Sequence, residues 1–455
     1  MSATTKSLQQ ALDEVSDPIR LLRDNAARAY TFPVQPEFTN WRNEQAAWRD
    51  SCALLDQSQH MTDLFITGPD ATAMLQHLST NTAAGYQPGR ARHFVATAPS
   101  GHVIGDGILF HHGENDFDLV GMWMPTDWVH YHCTTGEWDV EVVRDDNAYA
   151  RGGAAPKLFR YELQGPTALA IVEKVTGAPA PELKFFHMGE VRIAGARVGV
   201  LRHGMAGQPG FEFWGEWADQ PRVLEALLTA GEEFGITQAG SRAYSSANLA
   251  NGWVPSPFPA FFGPELKGYR EWLPLSRAGS TGGSFLPERV EDYYTTPFEL
   301  GLERSVKFDH DFIGREALEA MDRDAQRKRV TLIWNEDDVA AIFRSQVDRQ
   351  EGTLPAKFIE LPKSRYSLYQ TDRVLANGED VGVSMDVGYL ANERAFVSLA
   401  TVAPEFAATG TEVTVIWGED PVSRKGTVEP HRQVEVRATV APAPFHDYAR
   451  AGYRA

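Results

Sequence analysis

Few side chains in this 455-residue sequence carry reactive chemistry in a setting that could use it. Glu212 is one, standing among Phe211, Phe213 and Trp214 in the strand-like run GFEFWG. A carboxylate in such apolar company needs paired hydrogen-bond donors or a proton; the alternative is an exposed strand residue alternating with aromatics. His60 follows Asp56 and Gln57 and precedes a strand. Its imidazole can hydrogen-bond a substrate oxygen, fix a neighbouring side chain, or sit as a satisfied core histidine. His111-His112 and the pair His130 and His132 raise the question of a metal. The second pair follows a helix start at Pro125-Thr126-Asp127, side chains two apart on a helix diverge, and no carboxylate cluster accompanies them, so no metal is expected. The run GSTGGSF (279–285) lacks a following Lys and helix and reads as a turn rather than an anion cradle. Phosphate-loop, dinucleotide, zinc-protease and nucleophile-elbow motifs are absent.

The elements that must position these groups read as follows. Leu8, Leu12, Ile19 and Leu22 keep helical spacing, with Asp17-Pro18 marking a helix start. Strands are predicted at 63–68, 102–110 and 116–123 with a helix at 70–78, and a similar cycle returns with strands at 159–165, 190–204 and 210–215 and helices at 166–175 and 220–235. That repetition predicts two related α+β lobes. Residues 251–295, rich in Pro, Gly and aromatics, read as an ordered irregular segment rather than a linker. After a helix at 312–324, strands at 329–334, 380–390, 396–402, 411–418 and 433–440 predict a small barrel or sandwich.

Composition sets outer limits. A net charge of -18 is the wrong sign for a nucleic-acid partner. No stretch is long and apolar enough to cross a bilayer and no signal peptide is visible, so no membrane partner and a cytoplasmic location are expected. Two cysteines, Cys52 and Cys133, exclude a disulfide framework and fit a reducing compartment. Aromatic residues at 11% are core material, pocket walls for flat ligands, or both.

Six blocks carry a resemblance: DQSQHM (56–61), GHVIGDGILF (101–110), LRHGMAGQPGFEFWG (201–215), GSRAYSSANLANGWVPSP (240–257), EDYYTTPFELGL (291–302) and KFDHDFIGREALEA (307–320). Through them the chain resembles the glycine-cleavage aminomethyltransferase (T-protein) superfamily, from about residue 20 to 442, and within it the tetrahydrofolate-dependent aromatic O-demethylase and sesamin methylene transferase branch. The resemblance implies an α+β ring of three domains: N-terminal helices and a first folate-binding lobe (1–155), a second lobe (156–325) and a C-terminal β-barrel (326–455), with tetrahydrofolate in the central channel. It implies that Glu212 binds the aminopyrimidine edge of the pterin, whose paired N–H donors suit a carboxylate, that Trp253 packs on the folate, and that Gln57 and Val120 lie near the same ligand; any of these could instead be core.

The branch also places a tyrosine needed for methyl transfer at Tyr244, although on sequence alone a lone Tyr after a helix is more often a packed side chain. A phenol of pKa near 10 can donate to an aryl-ether oxygen whose leaving form has about the same pKa, making proton transfer nearly thermoneutral. His60 is the second catalytic candidate. Aminomethyltransferases carry an Asp pair where this chain reads Gly105-Asp106, so glycine-cleavage activity is doubtful, a lipoyl partner protein is not expected, and Asp106 keeps an electrostatic or structural role.

One departure bears on substrate. Relatives that act on aromatic acids such as vanillate carry an Arg after Val-Gly at the end of the DFDLVG strand, where this chain has Met122. Trp123 follows it, and the family's Tyr in the early Ala-Tyr-x-Tyr-Pro segment is Phe32, with Tyr30 nearby. A substrate carboxylate would be left unpaired at a cost of several kcal/mol, which predicts a neutral aryl ether, unless another Arg, such as Arg92 or Arg202, supplies the fork. A methoxyarene would yield a phenol and methyl-tetrahydrofolate; a methylenedioxy lignan such as sesamin would yield a catechol and methylene-tetrahydrofolate. The alternatives are an O-demethylase of vanillate or syringate and, from another class, a non-catalytic folate-binding protein of the kind that supports iron-sulfur assembly.

Overall fold

Alternation along the strands decides which side chains meet between the lobes. The computed structural model describes residues 6–15, 17–27, 32–349, 352–419 and 424–452; Tyr30 lies outside them. At the expected helix start, the Asp17 carboxylate accepts from the N–H groups of Ile19 and Arg20, with Pro18 in the first turn of Pro18–Asp24, satisfying donors that a helix leaves unpaired.

The first lobe is an antiparallel sheet in the order Arg90–Thr97, Val103–Gly113, Asp116–Gly121, Thr62–Thr67, Glu141–Asp145. Helices Ala71–His77 and Trp123–Thr135 seal one face through Met74, Leu75, Trp123 and Trp128. Phe258, Phe261 and Tyr269 complete this core, so much of the aromatic material in 251–295 is packing.

The second lobe is a six-stranded sheet, in the order Ile236–Ala239, Cys52–Asp56, Leu158–Gln164, Gly210–Glu216, Ala196–Leu201, Met188–Ile193. Helices Ala168–Thr176 and Gln220–Gly231 cover it. The strand Cys52–Asp56 precedes the first lobe's strands in the chain yet pairs in the second sheet, parallel to Ile236–Ala239 and antiparallel to Leu158–Gln164. Gln57 and His60 therefore sit where the chain crosses from one sheet to the other.

The last strands form a closed barrel rather than a sandwich, because Lys328–Trp334 pairs with both Ala395–Val402 and Val434–Ala441 and leaves no edge. Its strand Asp372–Ala376, which the sequence pattern does not flag, is short and slips register at Val374/Leu375. Each body touches the other two. Arg160 of the second sheet pairs with Asp63 of the first, Val103 packs in one cluster with Leu390 and Val397 of the barrel, and Gln45 donates to the Tyr389 carbonyl oxygen at 3.2 Å. Among the described residues no helix is long and apolar enough to cross a membrane.

Candidate functional site

Two neighbouring strands of the second sheet build one wall. In Leu158–Gln164 and Gly210–Glu216 the side chains of Phe159, Tyr161, Leu163, Phe211 and Phe213 enter the lobe's core. By the same alternation Arg160, Glu162, Gln164, Glu212 and Trp214 belong to the opposite face, which looks toward the first sheet. There Arg160 donates to Asp63 at 3.0 Å and to Asp118 at 2.5 Å, and lies 3.3 Å from Glu212.

Glu162 and Glu212 stand directly opposite in the antiparallel register, both buried. Two carboxylates so placed resist ionising together, and their surroundings push them apart. Burial raises Glu162 well above the usual carboxylate range and the negative Glu212 adds to it, outweighing hydrogen bonds from the Met205 and Ala206 N–H groups and from Gln57. Burial opposes ionisation of Glu212 as well, but hydrogen bonds and charge from His203 and Arg160 bring its pKa below the ordinary value. The surroundings thus favour the carboxylate at Glu212 and the carboxylic acid at Glu162. Asp118 is likewise raised, by burial and by Asp63.

The second cluster lies at the crossing between the sheets. Tyr244 ends the single turn Ser241–Tyr244, and its hydroxyl is 2.9 Å from His60 Nε2. The two rings meet edge to face at 4.9 Å, and Phe32 closes over them at 5.0 Å from His60 and 6.1 Å from Tyr244. Burial first, then the charge of Arg365, lowers the His60 pKa to about 4, so the imidazole is neutral. Burial, with the negative charge of Glu212 adding to it, holds the Tyr244 phenol well above its ordinary range. The near-match to a leaving phenolate expected from sequence therefore does not describe the folded site, whose tyrosine is a firmly protonated hydrogen-bond donor. Gln57 reaches both clusters: its Nε2 donates to Glu162 at 2.5 Å, and its side chain also bears on the Tyr244 hydroxyl. Among the described residues, Gln57 Oε1 and His60 Nδ1 are buried without a hydrogen-bond partner, the kind of pair that a polar ligand completes.

Asp106 takes another part. One of its oxygens accepts from the Trp253 indole at 2.7 Å and also contacts His93, so it fixes the ring of the Trp253 wall. Val120 packs with Phe110, Leu201 and Trp214 between the sheets. Met122 lines a cleft between the first lobe, the segment Val254–Phe258 and the barrel. Its neighbour Trp123 turns into the first lobe's core, 6.2 Å from Phe261 and under Arg277. Arg92 stacks on Tyr86 and donates to the Thr82 carbonyl oxygen, and Arg202 donates to that of Gly210, so both are committed elsewhere.

Sequence reasoning passes over Arg160, Glu162, Asp63, Asp118 and Arg365. The first two had a readable signal: in FRYELQG a polar residue stands at every second position, Arg160, Glu162 and Gln164, the mark of a strand with one polar face. Arg365 had none, since it lies in an irregular stretch before the two-residue strand Tyr369–Gln370.

A family model described as the GCVT N-terminal domain matches residues 24–254. A protein named syringate O-demethylase from Sphingobium sp. is 44% identical, the match covering 98% of each chain. One named sesamin methylene transferase from Sinomonas sp. is 30% identical over 84% of this chain and 83% of that one. Among solved structures, the glycine cleavage system aminomethyltransferase T from Bartonella henselae superposes with a TM-score of 0.61 at 19% identity, covering 95% of this chain and 98% of that one. That likeness establishes a shared three-body fold.

Proposed function

Since the chain belongs to the GCVT family and to its O-demethylase branch, we propose that it is a tetrahydrofolate-dependent transferase that takes a methyl or methylene group from an aryl ether and leaves a phenol or catechol. The observation that carries this reading is the joining, through Gln57, of a neutral Tyr244–His60 pair to a buried Glu162–Glu212 pair.

The residues fit the cofactor. Glu212, ionised in a buried wall, offers two acceptor oxygens to paired N–H donors, Gln57 brings an unpaired carbonyl, and Val120 and the Asp106-anchored Trp253 supply flat apolar surface. Tetrahydrofolate, when bound, supplies the reduced-pterin nitrogen that accepts the one-carbon unit. The protein's part is orientation and proton control. With its proton on Nε2, His60 donates to the Tyr244 oxygen and frees the phenol hydrogen for the ether oxygen of the substrate. Because the Tyr244 phenol is held less acidic than an ordinary phenol, its work is to hydrogen-bond the oxygen on which negative charge develops. Phe32 covers the pair and keeps water from it. Asp106 acts through Trp253.

An uncharged aryl ether, a methoxyarene or a methylenedioxy lignan, suits the apolar Met122 in the cleft. The second reading, O-demethylation of an aromatic acid, is favoured by the relative named for syringate, which aligns along almost the whole chain. The two free thiols, Cys52 and Cys133, suit a cytoplasmic enzyme. Anaerobic incubation with tetrahydrofolate and, separately, sesamin, guaiacol, vanillate and syringate tests the reading, with the folate product identified by mass. Formation of a one-carbon folate with any of the four supports it; turnover of vanillate or syringate alone overturns the neutral-substrate preference; no transfer from any overturns the reading.

A further inference from the structure

The cleft holds one cation that the roles above leave unused. Arg365, half-buried, lines it together with Met122, Pro255, Phe258, Tyr293 and Met385. Its guanidinium makes no hydrogen bond or ion pair with any described residue. The two acids that share the cleft have other partners: Asp386 lies 2.9 Å from Lys363 and 3.1 Å from the Asn248 amide, and Asp292 lies 3.8 Å from Arg289. A planar fork of five donors against apolar side chains, whose charge acts on Asp386 without a hydrogen bond to it, can still receive an acceptor with two oxygens. The charge of Arg365 also acts on His60, where it adds to burial in lowering the imidazole's pKa.

We propose that Arg365 anchors a carboxylate of a bound ligand, from the barrel side of the cleft opposite the apolar Met122. The inference rests on the folate-dependent aryl-ether reading, and within it a carboxylate has two sources: an aromatic acid substrate, or the glutamate tail of tetrahydrofolate. The fork serves either, and one substitution series separates them.

The series compares wild type with Arg365→Met and Arg365→Lys. Syringate and its uncharged counterpart 2,6-dimethoxyphenol are assayed for KM at saturating tetrahydrofolate. Tetrahydrofolate and tetrahydropteroate, which lacks the glutamate, are titrated by protein fluorescence without aryl ether. Loss of a charge-assisted bidentate contact weakens the ligand concerned by about 10- to 100-fold, with Lys restoring part of the loss. A rise in KM for syringate but not for 2,6-dimethoxyphenol assigns Arg365 to the substrate carboxylate. Weaker binding of tetrahydrofolate but not of tetrahydropteroate assigns it to the cofactor tail. An active wild type with all four values unmoved in Arg365→Met, or with all four shifted alike, overturns the assignment and leaves the proposed function standing. A wild type that neither binds tetrahydrofolate nor turns over an aryl ether overturns both.

Discussion

Replacing Glu162 with Gln isolates the electrostatic arrangement on which the folate wall depends. Glu162 and Glu212 are cross-strand partners, both out of water, and Arg160 and His203 are engaged with Glu212. The proton therefore stays on Glu162, whose folded pKa lies well above the ordinary 4.5 because of burial and the Glu212 charge. For a carboxyl raised in the fold, the stabilisation is complete below the unfolded pKa and is lost as pH rises toward and through the folded one, since the native state then holds a proton that the unfolded state has released. One such proton changes the stability by about 1.4 kcal/mol per pH unit within that window. A Gln at 162 mimics the neutral acid: its carbonyl still accepts from Met205, and the unpaired Gln57 Oε1 accepts its amide after a half-turn of the Gln57 side chain. Asp118 and Asp56, also raised, are present in both proteins and cancel in the difference. Denaturant unfolding of both proteins in half-unit steps from pH 5 to 8 should show Glu162→Gln gaining on wild type by about that slope as pH rises. Parallel stability curves would mean that Glu162 is ionised in the fold, and the division of roles between the two glutamates would fall.

Three further outcomes follow from the same geometry. Glu212→Gln removes the ionised acceptor and should weaken tetrahydrofolate binding by about 10- to 100-fold, read by fluorescence titration; unchanged affinity removes Glu212 from the cofactor site. His60, with a pKa of about 4, stays neutral at every higher pH, so the pH profile of kcat should show no His60 limb between pH 5.5 and 7. A limb near 6.5 that disappears in His60→Asn contradicts the buried, neutral imidazole. Trp253→Phe keeps a flat ring but loses the donor to Asp106, and should raise KM for tetrahydrofolate with little change in kcat; a fall in kcat alone would place Trp253 in the chemistry instead.

How much of this was legible in sequence differs by element. Apolar alternation marked five of the six barrel strands between 329 and 440 within a residue or two, because each of these buries one face along its whole length. It also put Phe211 and Phe213 inside and left Glu212 to face a ligand or water. The crossing of Cys52–Asp56 into the second sheet was not legible, since a short buried strand carries no mark of which partner it takes. Tyr244 and His60 were candidates from motif position, but their 2.9 Å contact depends on residues 184 apart in the chain. The same holds for the acidic group around Arg160, whose members come from four strands. Trp123 shows the limit of reading a wall from neighbours: Met122 faces the cleft, and the next residue begins a helix whose apolar side belongs to the core.

In the proposed function one carbon leaves an aryl ether for tetrahydrofolate under the control of Tyr244. It is tested most directly by single turnover, without oxygen, of wild type and Tyr244→Phe side by side, with aryl and folate products counted in the same sample and folate binding measured separately. Wild type should give equimolar phenol or catechol and one-carbon folate, and Tyr244→Phe neither, although it binds tetrahydrofolate as well as wild type does. Aryl product without a matching one-carbon folate, or equal turnover by the two proteins, would contradict it.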